Sequence, residues 1–540
     1  MRLLTVSVLG FINLMIDASD FEAGVYPDRF LYYTSTDALM SLVNMETKLV
    51  ALLKGYIDDE YARLERLKKF SNKLRHDHVE AAPCYGNTSD LVYQHHIFKI
   101  TKRLTTDLKR HADIDFLLGR SSTLKNTISM LKDGLALPAA RDLHGAAEAL
   151  LRLQDTYGLK TADIADGRLY PGVYSEPMSA EDCFSLGYIA YMEYRDYYHA
   201  LMWIMEAYKR LQLEKPPSVD EALVLDFLSN SLHAQGNAEL AVVAGRLLRQ
   251  RHFPRYTPIY NSLAAFEEAA RKSGRNPNDF LIVDIGSSVF ENTRPRHERL
   301  PDIDLYEALC RGEEQSQKNH HLHCYLQRNH PFLLLSPLKK EVLREEEPQI
   351  LIYRNFISDN ESSVVKSLAE PKFYTTENLL TYRVSKSAWL NDTEGPAIKR
   401  ISKRIELATG LTTDSAETLH VSNYGLGGHY EPHWDWYGYR EEDKSRFRHY
   451  TTLGNRIATV LFYLSQPKVG GATIFLELKL TVHATKNDAV FWYNLRHNGK
   501  GDEATRHAAC PVLIGSKWIA NKWLHEYGQE LKRKCHLQND

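Results

Sequence analysis

The chain has no excess of charge of either sign: 67 lysines and arginines stand against 69 aspartates and glutamates in 540 residues. Such a balance creates no long-range field to gather nucleic acid or an anionic membrane, so function has to rest on local chemistry. Cysteine is scarce, six in all, and no CxxC pair is present, which argues against a thiol redox catalyst. Beyond the N-terminus no apolar run is long enough to span a bilayer. The final residues, KCHLQND, are not a Lys/His-Asp-Glu-Leu retention tail. What is present is 43 % hydrophobic and 25 % charged, an ordinary globular composition with material for two to four domains.

The first residues, MRLLTVSVLGFINLMIDASDFEAG, carry one arginine, an apolar run from Leu3 to Ile16, and small residues at Ala18 and Ser19. That is the pattern of a secretory signal peptide over residues 1–19; the alternative is a buried first helix. In an oxidising compartment the cysteines become disulfide candidates. Asn87-Thr88-Ser89, Asn360-Glu361-Ser362 and Asn391-Asp392-Thr393 become candidate N-glycosylation acceptors. The mature chain is therefore expected to be soluble in the lumen of the endoplasmic reticulum, held there by something other than its own C-terminus.

Residues 20–150 read as a helical region. From Ala38 to Phe70, Leu39, Leu42, Leu49, Leu53, Ile57, Leu64 and Leu67 recur at three- and four-residue steps between charges, giving a long amphipathic helix. It can serve self-association or pack on its own domain. The same region contains HADID, where His111 and Asp113 form a His-x-Asp triplet; a chain this rich in both residues holds about one such triplet by chance, so the triplet alone carries no chemistry. Residues 151–270 contain a degenerate helical repeat. Leu186, Gly187, Ala200 and Ala207, then Leu228, Gly236, Ala241 and Pro254, fall near the small and apolar positions of a tetratricopeptide unit. Tyr188, Tyr191 and Tyr194 either line a groove for an extended proline-rich peptide or belong to the helix-packing core.

Residues 271–347 are polar and broken by Gly, Asn and Pro, and read as a linker. From 348 to 540 the pattern turns to short strands, among them ILIYRNFIS, ETLHVSNYG, IATVLFYLS and AVFWYNL, with helices only at about Glu361 to Ala369 and Pro396 to Thr409. Many short strands with Gly, Asn and Pro turns indicate an antiparallel barrel such as a jelly roll. The fold expected is multidomain α+β.

A second His-x-Asp, His433 and Asp435, lies in VSNYGLGGHYEPHWDWYGY. Residues two apart on a strand face the same side, so both can reach one ion. His507 in ATRHAACPVL is the candidate third ligand. Two imidazoles and one carboxylate leave coordination positions open, which suits non-haem Fe(II) handling O2. Ten residues on, Lys517 in IGSKWIANKW would be a buried cation in need of an anion, and a dicarboxylate that also chelates the metal would supply one. A zinc hydrolase could use the same ligands but has no use for that lysine.

From NYGLGGHYEPHWDW through GNRIATVLFYL, GGATIF, AVFWYNL and TRHAACPVLIGSKWIANKWLHEYGQE, the chain closely resembles the α subunits of collagen-type prolyl 4-hydroxylases, which are 2-oxoglutarate- and Fe(II)-dependent dioxygenases. The resemblance implies a dimerisation role for residues 20–150, a peptide-binding role for 151–270, and a double-stranded β-helix dioxygenase domain from 348 onward. It implies His433, Asp435 and His507 as iron ligands and Lys517, with Thr473 and His525, around 2-oxoglutarate. Tyr430, Arg456 and Trp523 would lie at the substrate mouth, and Cys310–Cys324 and Cys510–Cys535 would be disulfides, leaving Cys84 and Cys183 over. The implied reaction is C4 hydroxylation of peptidyl proline in collagen-like or other proline-rich chains, with L-ascorbate as reductant. The implied partner is protein disulfide-isomerase as β subunit of an α2β2 assembly, with neither nucleic acid nor membrane involved. A non-catalytic peptide-binding subunit and a hydroxylase of non-collagen substrates are the alternatives. Phe227, Asn230 and His233 stand where the family commonly has tyrosines, and Ala265 where a peptide-contacting tyrosine is expected, so peptide preference is open.

Overall fold

The computed structural model describes residues 40, 43–51, 98–99, 101–102, 140–252, 259–280, 284–297, 300–313, 323–375, 382–438 and 452–535. The expected signal peptide, most of the helical region before residue 140, the His111/Asp113 triplet, Cys84 and Asn87 lie outside the described residues. Residues 43–51 are helical, within the expected amphipathic helix. No helix among the described residues is long and apolar enough to cross a membrane.

The helical half contains α1 (Ala140–Tyr157), α2 (Ala180–Met192), α3 (Tyr197–Leu211), α4 (Glu221–Ala234), α5 (Ala238–His252) and α6 (Ile259–Lys272). Their starts are written locally. Ser179 accepts from the Asp182 amide while the Asp182 carboxylate returns the bond, a capping box that opens α2, and Asp196 and Asp220 cap α3 and α4. Gly187 has to be small, because a Cβ there would lie 2.6 Å from Ile204 on α3. Leu186, Ala200, Ala207, Leu228 and Ala241, the other repeat positions in described helices, are fully buried.

The second half carries β1 (His323–Gln327), β2 (Leu338–Arg344), β3 (Ile350–Arg354), β4 (Tyr374–Thr375), β5 (Lys386–Leu390), β6 (Leu419–Tyr424), β7 (Tyr430–His433), β8 (Arg456–Tyr463), β9 (Val469–Gly470), β10 (Thr473–Phe475), β11 (Leu480–Val482), β12 (Ala489–Tyr493), β13 (His507–Ala509), β14 (Val512–Ile514) and β15 (Lys517–His525). The large sheet runs β1-β2-β3-β12-β8-β15-β6-β5-β4, and a smaller one runs β11-β10-β13-β7. The central strands read as nearly continuous apolar runs rather than alternating ones because both faces are covered. On one face α9 (Pro396–Thr409) sets Ile398, Ile401 and Ile405 against Val421, Val460 and Leu524, beside α8 (Asp359–Ala369). On the other, Tyr424, Leu461, Trp492 and Ile519 meet Phe475 of the small sheet. Two facing antiparallel sheets with this crossed order make the expected jelly roll.

Two expectations need correction. The segment taken as a linker is part of the barrel: β1 and β2 extend the large sheet, and α7 (Ile303–Arg311) lies against β10 and β11. Its polar composition hid the strands, since β2 buries only Leu338 and Val342 and leaves its other side chains half or fully exposed. The disulfide pairing also differs. Packing α7 on Ala472, Ile474 and Ala508 brings Cys310 to Cys510, and these two are bonded. Cys324, opposite Glu341 on the outer edge of the sheet, and Cys535, beyond β15, are exposed thiols, so neither Cys310–Cys324 nor Cys510–Cys535 forms. Cys183 is buried and unbonded.

Candidate metal and co-substrate site

β13 pairs with β7 so that His507 stands directly opposite His433. Asp435, just past β7, brings its carboxylate to 3.8 Å from His433 Nε2 and 3.7 Å from His507 Nε2. The three candidate ligand atoms all lie within 4.8 Å of one another. Each imidazole donates from Nδ1 to a main-chain carbonyl, His433 to Glu431 (2.8 Å) and His507 to Thr505 (2.9 Å), which leaves both Nε2 lone pairs facing the carboxylate. Burial, reinforced by the facing His507, keeps His433 neutral. Burial opposes the charge on Asp435, but His507, His433 and Arg456 together hold its carboxyl below the ordinary value. Thr459 donates to Asp435 Oδ2 (2.7 Å) and accepts from Asn494 (2.8 Å), fixing the carboxylate from behind. Two imidazole nitrogens and one carboxylate, each oriented by a hydrogen bond from behind, fit a divalent first-row metal.

Lys517 opens β15 inside the barrel and is 1 % exposed. Its ammonium donates to Thr473 Oγ1 at 3.5 Å, and the Tyr463 hydroxyl donates to the same oxygen at 2.9 Å. No carboxylate among the described residues pairs with it, and burial alone pulls its pKa down to about 7. A cation walled in by Tyr424 and Tyr463 without a counter-ion is a site for an incoming anion.

His525 does not join it. It ends the strand that Lys517 begins, eight residues on, roughly 26 Å at an ordinary strand rise. There it donates from Nδ1 to the Gly454 carbonyl (2.7 Å) and bonds Glu417 through Nε2 (3.0 Å). Arg456 makes two bonds to Glu417, at 2.5 and 3.0 Å, approaches the Asp435 carbonyl and lies over the Trp523 ring at 3.9 Å. Tyr430 stacks on the His433 imidazole with centroids 3.6 Å apart. Arg383 backs that ring at 4.7 Å and is held by the hydroxyls of Ser385, Ser387 and Ser422. Glu417, Thr459, Asn494 and Tyr463 escaped the sequence reading because their polar partners lie on other strands, and Arg383 escaped it although Ser385 and Ser387 are near it in sequence.

Glu417 shows its role in its titration. Burial would raise the carboxyl, but His525 and Arg456 hold it down at about 2, against an ordinary 4.5. A depressed folded-state value contributes stability above the unfolded pKa and loses it as pH falls through the folded one. Glu417→Gln should therefore remove about 3 kcal/mol at pH 7 and flatten the acid decline of stability between pH 4.5 and 2. Urea unfolding across that window measures it, and an unchanged decline would disprove the assignment.

In the helical half, Tyr188 and Tyr191 of α2 pack edge-on around Phe227 of α4, at 5.1 and 5.4 Å, and Tyr188 remains 39 % exposed. Tyr194 donates to the His144 carbonyl and is 38 % exposed. Asn230 is turned back onto Asp226, His233 lies against Phe266, and Ala265 is exposed. The three tyrosines thus form a row that is part packing and part surface.

Residues 35–171 match the N-terminal region of the prolyl 4-hydroxylase α subunit, residues 180–268 the prolyl 4-hydroxylase peptide-substrate-binding domain, and residues 419–525 the 2OG-Fe(II) oxygenase superfamily. Among curated proteins, prolyl 4-hydroxylase subunit α-2 of Caenorhabditis elegans is 40 % identical over 524 residues, covering 94 % of each chain. Prolyl 4-hydroxylase subunit α-1 of Mus musculus is 38 % identical over 526 residues, covering 94 % of this chain and 96 % of its own.

Proposed function

The chain belongs to the prolyl 4-hydroxylase α-subunit family, and from that premise we propose how its residues divide the work of a peptidyl-proline 4-dioxygenase. The observation that carries the reading is Lys517, a buried cation without a counter-ion in the same barrel as the His433, Asp435 and His507 cluster. Those three side chains would hold Fe(II). Lys517 would pair with the distal carboxylate of 2-oxoglutarate, and Thr473, whose oxygen is oriented by Tyr463, would donate to it. Bound Fe(II), 2-oxoglutarate and O2 supply the oxidation: one oxygen atom enters the proline C4–H bond as hydroxyl, the other enters succinate, and CO2 leaves. Ascorbate would be the reductant that keeps the iron ferrous. Arg456, fixed by Glu417 and stacked on Trp523, faces the peptide, and Tyr430 keeps the His433 ring from turning. The barrel's apolar lining excludes water, so the charges act at low dielectric.

The decisive assay measures 2-oxoglutarate decarboxylation and 4-hydroxyproline with Fe(II) and ascorbate, with and without a Pro-Pro-Gly repeat peptide. Hydroxyproline that depends on all three additions is the expected result. Its absence would leave the non-catalytic peptide-binding subunit standing, and activity with zinc alone would favour a hydrolase.

The apolar N-terminal run supports residues 1–19 as a signal peptide and the endoplasmic reticulum lumen as the address. Asn360 and Asn391 are both exposed acceptors, although Ser362 of the first sequon is buried on the Leu464 carbonyl, so Asn391 is the better glycan site. We assign residues 20–150 to self-association, 151–270 to peptide binding, and protein disulfide-isomerase to the β-subunit role in an α2β2 tetramer. An uncovered apolar surface favours aggregation. Expressed alone, the chain should therefore be mostly insoluble, and co-expression with the isomerase should yield a soluble tetramer by size exclusion with light scattering. A stable, fully active monomer without the isomerase would refute the partner assignment.

A further inference from the structure

A cleft of about 390 Å3 lies where the helical half meets the barrel, and it has no part in the site described so far. Its lining includes Tyr194, the last tyrosine of the row and just past α2, and Glu431, whose carbonyl accepts the Nδ1 proton of His433. The cleft thus connects the row of tyrosines to the strand that carries the first metal ligand.

Its wall is strongly charged, and nearly every charge is matched. Arg294 bonds both oxygens of Glu307 (2.7 and 2.9 Å) and reaches Asp155 at 3.0 Å. His199 lies between Asp196 (2.5 Å) and Asp155 (3.1 Å); burial works against its charge, but the two carboxylates raise it to about 9, so it is cationic at neutral pH. Arg152 is bonded to Glu148 at 2.8 Å. Glu431 is the exception: among the described residues no cation lies within ion-pair distance of it. Five carboxylates therefore stand against those three cations and Arg195, which is exposed beside Tyr194. A second group is also left over. The Tyr306 hydroxyl is buried on the same wall with no hydrogen-bond partner, in a residue 3 % exposed, and Glu431 is among the charges that act on it. An unmatched carboxylate beside an unmatched hydroxyl offers acceptors to a cation with several N–H donors.

We propose that this cleft is a subsite for the substrate polypeptide, in which Glu431 and Tyr306 receive a guanidinium or ammonium side chain near the proline presented to the metal. It rests on the hydroxylase reading and adds to it a preference for a basic residue at one fixed distance from the target. A chain crossing from the tyrosine row to the barrel has to pass this wall, and a cation is the side chain whose desolvation the wall can offset.

The test uses the full-length chain and Pro-Pro-Gly repeat peptides in which one position, walked along both sides of the target proline, is arginine, alanine or glutamate. At one register arginine should lower KM about five- to tenfold against alanine, and glutamate should raise it. Glu431→Gln should bring the arginine-to-alanine ratio to about one, Glu431→Lys should reverse the preference toward glutamate, and Tyr306→Phe should reduce the ratio in part. Because each ratio is taken within one variant, general damage to the enzyme cancels. No register at which arginine outperforms alanine, or a preference that survives Glu431→Gln, overturns the subsite alone; failure to hydroxylate the plain repeat peptide overturns the hydroxylase reading and this one with it.

Discussion

His507→Ala should reduce proline hydroxylation to background while leaving the chain folded. The side chain is one of the three groups that, among the described residues, converge on the candidate metal position, and its partner across the β7–β13 ladder, His433, cannot replace it, because its single free nitrogen is already directed there. With His507 gone, the remaining imidazole and carboxylate form a chelate too weak to retain Fe(II) at assay concentrations. Folding should survive because the large sheet, centred on β12, β8 and β15, does not include β13, and alanine continues the small run Ala508–Ala509. The cavity left against Trp492 and Phe475 costs about 2 kcal/mol or more, visible as a lower melting temperature in the metal-free protein. Two readouts separate the roles: circular dichroism should retain the native spectrum, and the Fe(II)-dependent rise in melting temperature expected of the wild type should vanish. Turnover above a few per cent of wild type, at saturating iron, would remove His507 from the ligand set.

Lys517→Met should do two opposite things. The ammonium's pKa lies at about 7 because burial disfavours its charge, whereas in the unfolded chain it is the ordinary 10.5. The unfolded chain therefore binds more protons between pH 7 and 10.5, and the penalty of burying this lysine is largest below pH 7 and disappears as pH rises to 10.5. Methionine, of similar length and uncharged, should stabilise the co-substrate-free protein by a few kcal/mol at pH 6 to 7, at about 1.4 kcal/mol per pKa unit, with the gain fading toward pH 10. The same substitution removes the counter-charge for 2-oxoglutarate. Loss of a charge-assisted contact of about 1.5–3 kcal/mol should raise the KM for 2-oxoglutarate roughly ten- to a hundredfold. In the wild type the lysine has to be protonated to hold the dicarboxylate, so 2-oxoglutarate binding should take up a proton and weaken as pH rises above 7. Calorimetry in two buffers of different ionisation enthalpy counts that proton. An unaltered KM, or a melting temperature that falls, would return Lys517 to an ordinary structural role.

The metal cluster was legible because its chemistry is periodic. His433 and Asp435 are two apart on extended chain, and His507, which the fold brings to them, lies in a strand-forming run. Helix α9 was legible because Pro396 starts it and Gly410, at φ +77°, ends it. The groups that orient the ligands were not. Thr459 lies 24 positions from Asp435, Arg456 lies 39 from Glu417, and nothing local in one sequence marks such pairs. Strands β1 and β2 were missed for the opposite reason, since an edge hairpin can be polar on most of its surface. The disulfide was missed because Cys310 and Cys510 are 200 residues apart and meet only after α7 docks. The implied short-range pairs placed each cysteine with a neighbour in sequence, and the packing of α7 pulls Cys310 elsewhere.

The hairpin of β1 and β2 bears on where the catalytic half can be separated. The change of pattern near Pro348 is an inviting place to cut, yet four of the five residues of β3 are buried, and its outer hydrogen bonds go to β2. A fragment starting at 348 would expose Ile350, Leu351, Ile352 and Tyr353 as a naked sheet margin, a ready template for intermolecular strand addition. It would also lose α7, leaving Cys510 as an unmatched thiol three residues from His507. Fibrils or scrambled oligomers from such a piece would reflect the cut rather than the enzyme.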